Sequence, residues 1–233
     1  MECTVPRTKP ALFIADEIRR TWRAIVREGH VTELRVLEAK VEGEWKTGTA
    51  SGYFNDVEPM IEFLGRCTSF LGAYIVPNEI NPALLSRACN RARIIKGKEP
   101  TTSDNDIIRR RWLLVDADAV RPSGISSTDE EHELARQRLN AVDNYLWEQG
   151  FASGIIADSG NGYHGMYPID LPANDNGTVE GILKSLAAEF DDEAVKIDTS
   201  VHNAARIWRL YGTRACKGDN TPSRPWRISR NVN

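Results

Sequence analysis

Two hydrophobic periods alternate along this chain, and their order is plainest after residue 111. Trp112-Leu113-Leu114-Val115 is an apolar run of strand length that ends in Asp116-Ala117-Asp118 and is stopped by Pro122, Ser123 and Gly124. A helix follows, with Thr128 and Glu131 at capping-box spacing and Leu134, Leu139, Val142, Tyr145 and Leu146 on one face, until Gly150 ends it. Residues 153–157 read as a second strand. The turn Ser159-Gly160-Asn161-Gly162 joins it to a third over 163–169, making a hairpin. Asn176 or Thr178 starts a second helix through Ile182, Leu183, Leu186 and Phe190. Residues 194–198 read as a fourth strand, and 207–211 as a further short one.

Before residue 111 the pattern is more broken. Ile14, Ile18, Trp22, Ile25 and Val26 recur at helical spacing, with Thr8 as cap, Pro10 in the first turn and Gly29 as terminator. Residues 31–37 read as a strand, 48–52 as a turn and Tyr53-Phe54 as a second short strand. Asp56 caps a helix bearing Met60, Ile61, Phe63 and Leu64. Residues 71–76 form a strand, Asn81-Pro82 opens a helix with Leu84, Leu85 and Ala88, and the polar stretch 97–106 reads as a mobile loop.

The later order, β-α-β-β-α-β, is the split βαβ of ferredoxin-like and RNA-recognition (RRM-like) folds, where the first strand lies between the third and the fourth and runs antiparallel to both. The fold expected is therefore α+β, an RRM-like sheet preceded by a smaller α/β lobe. The divisions are 1–30 for an N-terminal tail and helix, 31–110 for the lobe, 111–217 for the RRM-like unit and 218–233 for a basic C-terminal tail, together one compact module. In that topology Asp116, Asp118, His164 and Asp198 converge at one sheet edge.

A chain of 233 residues can bury a real core, and its apolar runs are too short to cross a bilayer, so no membrane partner is expected. There is no signal-peptide pattern. Cys3, Cys67, Cys89 and Cys216 are scattered, which argues against a zinc site and a disulfide framework and fits a reducing cytoplasm. The formal net charge of −3 counts against a duplex-coating protein. The charge is uneven, however. Basic clusters at 87–98, at Arg109 to Arg111 and across 206–230 are compatible with a groove for a short nucleic acid or a nucleotide.

In a strand Asp116 and Asp118 share a face, and their mutual repulsion is relieved by a divalent cation. All-oxygen ligands favour Mg²⁺ or Mn²⁺. Taken alone, Asp-x-Asp is more often a loop-capping pair than a metal site. With Asp198 as a third carboxylate the edge can hold two ions, the requirement of two-metal phosphoryl transfer. The turn at Ser159, Gly160 and Gly162, followed by His164, has the make-up of a phosphate cradle, although an ordinary hairpin turn carries the same residues. Arg206 and Lys217 are candidates for the β- and γ-phosphates of a nucleotide. His30, His132 and His202 lack such a setting and read as surface or local structural residues.

The ordered set Asp116-x-Asp118, Ser159-Gly-x-Gly-x-His164, an apolar residue before Asp198, and Arg206-Ile-x-Arg209-Leu-x-Gly212-Thr213 resembles the archaeo-eukaryotic primase superfamily. It is most similar to primase-polymerase domains of phage and plasmid replication proteins, over about residues 31–217. The resemblance implies an RRM-like catalytic palm that transfers nucleotides from NTP or dNTP to a 3′-hydroxyl on single-stranded or primed DNA. It makes Asp116, Asp118 and Asp198 ligands of two Mg²⁺ or Mn²⁺ ions, with Ser159, His164 and their turn on the triphosphate. It also implies a cytoplasmic protein of bacterial, phage or plasmid origin that works with a replicative helicase domain or protein. Many relatives carry a zinc element that these cysteines do not supply. The chain ends soon after its last motif, which fits an excised or free-standing module. The basic stretches 87–98 and Arg109 to Arg111 are then expected to guide template. The alternatives are a metal-dependent nuclease, which needs the same carboxylates without the triphosphate cradle, and a non-catalytic nucleic-acid-binding replication initiator on the same fold.

Overall fold

A computed structural model describes residues 11–97 and 99–233. The expected caps Thr8 and Pro10, together with Cys3 and Lys98, lie outside the described residues. The fold is α+β with two antiparallel sheets. Helix α1 (Ala15–Ile25) buries Ile18, Thr21 and Ile25. Strand β1 (Thr32–Val41) pairs with β2 (Gly48–Phe54). Helix α2 (Val57–Arg66) follows, with the Asp56 carboxylate accepting from the Glu58 amide, a cap worth about 1 kcal/mol. Then come β3 (Cys67–Ser69), β4 (Gly72–Ile75), β5 (Glu79–Ile80) and β6 (Arg91–Ile94). The expected helix at Asn81-Pro82 is a 3₁₀ helix, Pro82–Arg87.

Three early expectations are corrected. Residues 48–52 are strand rather than turn. The two glycines there serve close packing against β6, since a Cβ on Gly52 would lie 2.0 Å from the Arg91 carbonyl oxygen and one on Gly48 3.1 Å from Ile94 Cγ2. Strand β1 also runs past Leu37. A bulge at Glu38 (φ 50°) shifts the register between Val36 and Ala39, so buried Leu34 and Val36 are followed by buried Ala39 and Val41 on the other parity. Residues 99–106, part of the stretch 97–106 expected as a mobile loop, are tied down instead. The Thr102 amide donates to the fully buried Glu33 carboxylate at 2.9 Å, and Ser103 and Asp106 cap the 3₁₀ turn Asp104–Asp106. Arg35 and Ser51 complete the Glu33 node at 2.7 and 2.6 Å, so the buried charge is compensated.

The second sheet begins with β7 (Ile107–Ala119) and continues through α3 (Asp129–Glu148), β8 (Ile155–Asp158), β9 (Tyr163–Pro172), α4 (Thr178–Phe190) and β10 (Val195–Ile197). Its strand order is β10-β7-β9-β8, so β7 lies between the third and fourth strands of this unit and is antiparallel to both, the order expected from the sequence. The capping box of Thr128 and Glu131 opens α3. Helix α3 packs on β7 and β9, and α4 on β10.

Short strands exchange between the sheets. Strand β5 pairs with the start of β7, and β11 (Trp208–Arg209) pairs with β4 of the first sheet. One apolar cluster accordingly contains Leu34, Val36 and Ile75 of the first sheet and Leu113, Leu114 and Val115 of the second. Residues 218–233 are no free tail. Arg224 binds Glu131, Arg227 binds Asp129 and the Ser127 carbonyl, and β12 (Arg230–Asn231) adds a strand beside β8. No described helix is long and apolar enough to cross a membrane.

A carboxylate cleft between the two sheets

Register explains how the site forms. His164 of β9 lies opposite Asp116 of β7, and the Asp198 amide donates to the Asp116 carbonyl at 2.9 Å, continuing the β7–β10 register. Opposed residues in an antiparallel pair share a face, so His164, Asp116 and Asp198 form one row, with Asp118 two residues along the same face. The chain between β10 and β11 then returns to the first sheet, which brings Trp208, Arg209 and Tyr74 to face that row. The resulting cleft has a volume of about 390 Å³ and is lined by Asp116, Asp118, Ser159, Asn161, His164, Asp198, Arg206 and Lys217, together with Leu37, Tyr74, Trp208 and Arg209.

Each carboxylate has a separate nitrogen-bearing neighbour. The Asp116 Oδ1 lies 3.6 Å from His164 Nε2, Asp118 receives both guanidinium arms of Arg121 at 2.9 Å, and Asp198 Oδ2 is 3.5 Å from Arg206. Asp198 Oδ1 also accepts the Ser200 amide, capping the 3₁₀ turn Thr199–His202. Burial, followed by the Asp116 charge, pushes the Asp118 carboxyl above its ordinary value despite Arg121. At Asp116 burial acts in the same upward direction, but the nearby His164, Arg206 and Lys217 outweigh it and hold this carboxyl low.

Among the described residues, no three His, Cys, Asp or Glu side chains stand already gathered as a metal cage. The donor chemistry nonetheless fits a hard divalent ion. Asp116, Asp118 and Asp198 offer oxygen alone, and Gly162 lets its turn pack close to the end of β7, since a Cβ there would sit 2.4 Å from the Ala117 carbonyl oxygen and 2.6 Å from Asp118 Oδ1.

The turn differs from the expected phosphate cradle. The Ser159 amide donates to the Gly162 carbonyl, the Gly160 amide to Asp158 Oδ1 at 2.6 Å, and the Gly162 amide to Ser159 Oγ. These donors are spent inside the turn. Gly160 (φ 95°) is packed beneath Ala215, whose Cβ a side chain would meet at 2.7 Å. The two glycines therefore shape the turn and let it pack closely, while the side chains of Ser159, Asn161 and His164 line the cleft. His132 braces the same turn by contacting Asp158 Oδ1 at 2.9 Å, whereas His30 and His202 keep to their local contacts with Glu79 and the Thr199 carbonyl.

Arg209 carries a signal that spacing alone did not turn into a role. It is 9% exposed, stacks on Tyr74 at 4.5 Å, and its Nε and Nη1 have no partner. A buried arginine with unspent donors on a cleft is suited to an anion. Arg121 and Tyr74 gave no sequence signal, because only the return of β11 to β4 and the path of the loop after β7 bring them here. The expected template guides Arg109 to Arg111 are each engaged in ion pairs within the protein. Arg109 is paired to Asp170, Arg111 to Glu79 and Asp170, and buried Arg110 to Asp175 and the carbonyls of Ala173 and His202. Comparison of the chain with protein-family models, curated proteins and solved structures finds no match.

Proposed function

We propose that the protein is a DNA-dependent primase-polymerase of the archaeo-eukaryotic primase type, with β7 to β10 as its RRM-like catalytic palm. The carrying observation is the joining of three carboxylates from one sheet with Arg209 of the other, and with Arg206 and Lys217, around a single cleft. A nucleoside triphosphate needs that combination of oxygen ligands for its cations and positive donors for its phosphates. On this reading Asp116, Asp118 and Asp198 hold Mg²⁺ or Mn²⁺, which supply activation of a primer 3′-hydroxyl and stabilisation of the leaving pyrophosphate. Arg206, Arg209 and Lys217 hold the triphosphate, with Ser159 and His164 beside it. Arg121, which holds both Asp118 oxygens, would share that carboxylate with an ion bound there.

The test is extension of a labelled primed template with Mg²⁺ or Mn²⁺. Wild type is expected to extend, and Asp116→Ala/Asp118→Ala to lose at least about 10³-fold of the rate, as removal of the charge-stabilising centre demands. Metal-dependent degradation of the strand without extension transfers the site to a nuclease. Absence of both chemistries, with template still bound, leaves a replication initiator.

A further inference from the structure

We infer that Tyr211 is a positioning residue that fixes His164 in the tautomer carrying its proton on Nε2, toward Asp116 and the cleft. The inference deepens the nucleotide-site reading and takes its meaning for catalysis from it, although the tautomer follows from the protein's own hydrogen bonds.

The Tyr211 hydroxyl is fully buried and touches two polar partners, Trp208 Nε1 at 2.8 Å and His164 Nδ1 at 3.2 Å. An indole N–H can only donate, so the Tyr211 oxygen accepts from Trp208. Its own proton is then free for His164 Nδ1. In this arrangement the indole, the hydroxyl and Nδ1 are each satisfied, and Nε2 carries the ring proton toward the cleft. With the proton on Nδ1 instead, the tyrosine oxygen faces two donors and its O–H is left without an acceptor in the interior, a loss that buried polar groups rarely bear. Burial also pushes the Tyr211 hydroxyl far above its ordinary value, so its proton stays in place across the working range.

The ring is held as well as tautomerised. It stacks on Trp208 with centroids 3.9 Å apart and planes at 34°, and Nε2 lies 3.6 Å from Asp116 Oδ1. His164 thus presents a fixed N–H donor to the cleft while neutral. On the nucleotide reading, such a donor would suit a phosphate oxygen in the cleft. Trp208 and Tyr211 both follow Arg206, and the turn after β11 returns Tyr211 beneath the ring, so one segment supplies a cation for the nucleotide and the brace for its neighbour.

The experiment is long-range ¹H–¹⁵N correlation NMR on histidine-labelled protein in mildly alkaline buffer without metal, with His164→Gln to assign the ring. Wild type is expected to show His164 with a bare Nδ1 and a protonated Nε2. Tyr211→Phe removes the donor to Nδ1 and is expected to give a mixed or reversed tautomer. Trp208→Phe, which frees the tyrosine oxygen from accepting, is the second variant should Tyr211→Phe not fold, and is expected to loosen the preference in the same direction. A proton on Nδ1 in wild type overturns the inference, as does an unchanged tautomer in whichever variant folds. Nucleotide-induced thermal stabilisation is read in parallel. Wild type stabilised by dNTP and metal, with Tyr211→Phe needing several-fold more dNTP for the same shift, carries the tautomer into binding. A correct tautomer with no stabilisation of wild type by any nucleotide sinks the nucleotide reading alone.

Discussion

The two ends of β7 carry opposite charges and opposite degrees of satisfaction. At its start Arg109, Arg110 and Arg111 meet Asp170, Asp175 and Glu79, several of them through more than one arm, and backbone carbonyls take the rest. At its end Asp116 has the His164 ring at 3.6 Å and Asp198 the Arg206 guanidinium at 3.5 Å, and Asp118 keeps a raised carboxyl in spite of Arg121. Across the cleft Arg209 has donors with no partner at all. The same strand therefore uses charge once as structure and once as unspent capacity. On the proposed reading, what separates the structural charge cluster from the functional one is how completely the protein itself satisfies it.

The largest effect expected from this contrast is the loss of extension in the Asp116→Ala/Asp118→Ala variant, with folding retained, because these side chains are not what holds the sheet. The mirror experiment at the other end is Arg110→Ala. Arg110 is 8% exposed, and its removal leaves Asp175 and two carbonyls without their partner. Breaking a buried pair in this way costs about 3 kcal/mol, a fall of about 6–12 °C in Tm for a chain of this size. Calorimetry reads the loss directly. An Arg110→Ala protein that melts with wild type but no longer binds template would reverse the assignment of this end.

An acid titration separates the ends more finely. Asp170 is held below its ordinary value, first by the Arg109 hydrogen bonds, so its pairing stabilises the fold above the unfolded carboxylate pKa and is lost as pH falls through the depressed folded one. Asp118 runs the other way. Its raised carboxyl means that the buried charge costs stability above the folded pKa, and that cost disappears as pH falls below the unfolded value. Carboxyl ¹³C spectra recorded in EDTA, assigned with Asp118→Asn and Asp170→Asn, should show Asp118 taking up its proton at higher pH than Asp170. The reverse order would mean that Arg121 neutralises Asp118 as fully as the arginines neutralise Asp170.

Much of this site was legible in the residues alone, for a reason that also marks the limit. Period-two patterning set the strand order that lines up Asp116, His164 and Asp198, because β-register follows from which residues must be buried. The turn at Ser159 to Gly162 was legible as a turn. Its amide donors were not legible as spent, because Asp158 and Ser159 compete for them locally. Charge runs misled most. Arg109 to Arg111 look free in sequence, since their partners Glu79, Asp170 and Asp175 come from distant segments. Residues 218–233 looked like a tail for the same reason, with Glu131 and Asp129 nearly a hundred positions away from the arginines they bind. In β2, glycine and serine suggested a turn where close packing against β6 required glycine.

The smallest effect concerns the template. Within the expected basic stretch Arg93 is paired to Glu99, and Arg87 lies 3.8 Å from Asp106, which leaves the exposed Arg91 and Lys96 as its described cations outside the ion pairs. Each phosphate neutralised on a single strand contributes about 0.7 to the slope of log affinity against log salt. If Arg91 and Lys96 each meet one phosphate, Arg91→Ala/Lys96→Ala should lower that slope by about 1.4. Arg109→Ala/Arg111→Ala should leave it where it is, since those charges are already met by carboxylates. Fluorescence anisotropy of a labelled single strand over a salt series measures both. Equal slope losses in the two variants would show that carboxylate pairing does not withdraw an arginine from the template, and satisfaction would no longer distinguish the two ends of β7.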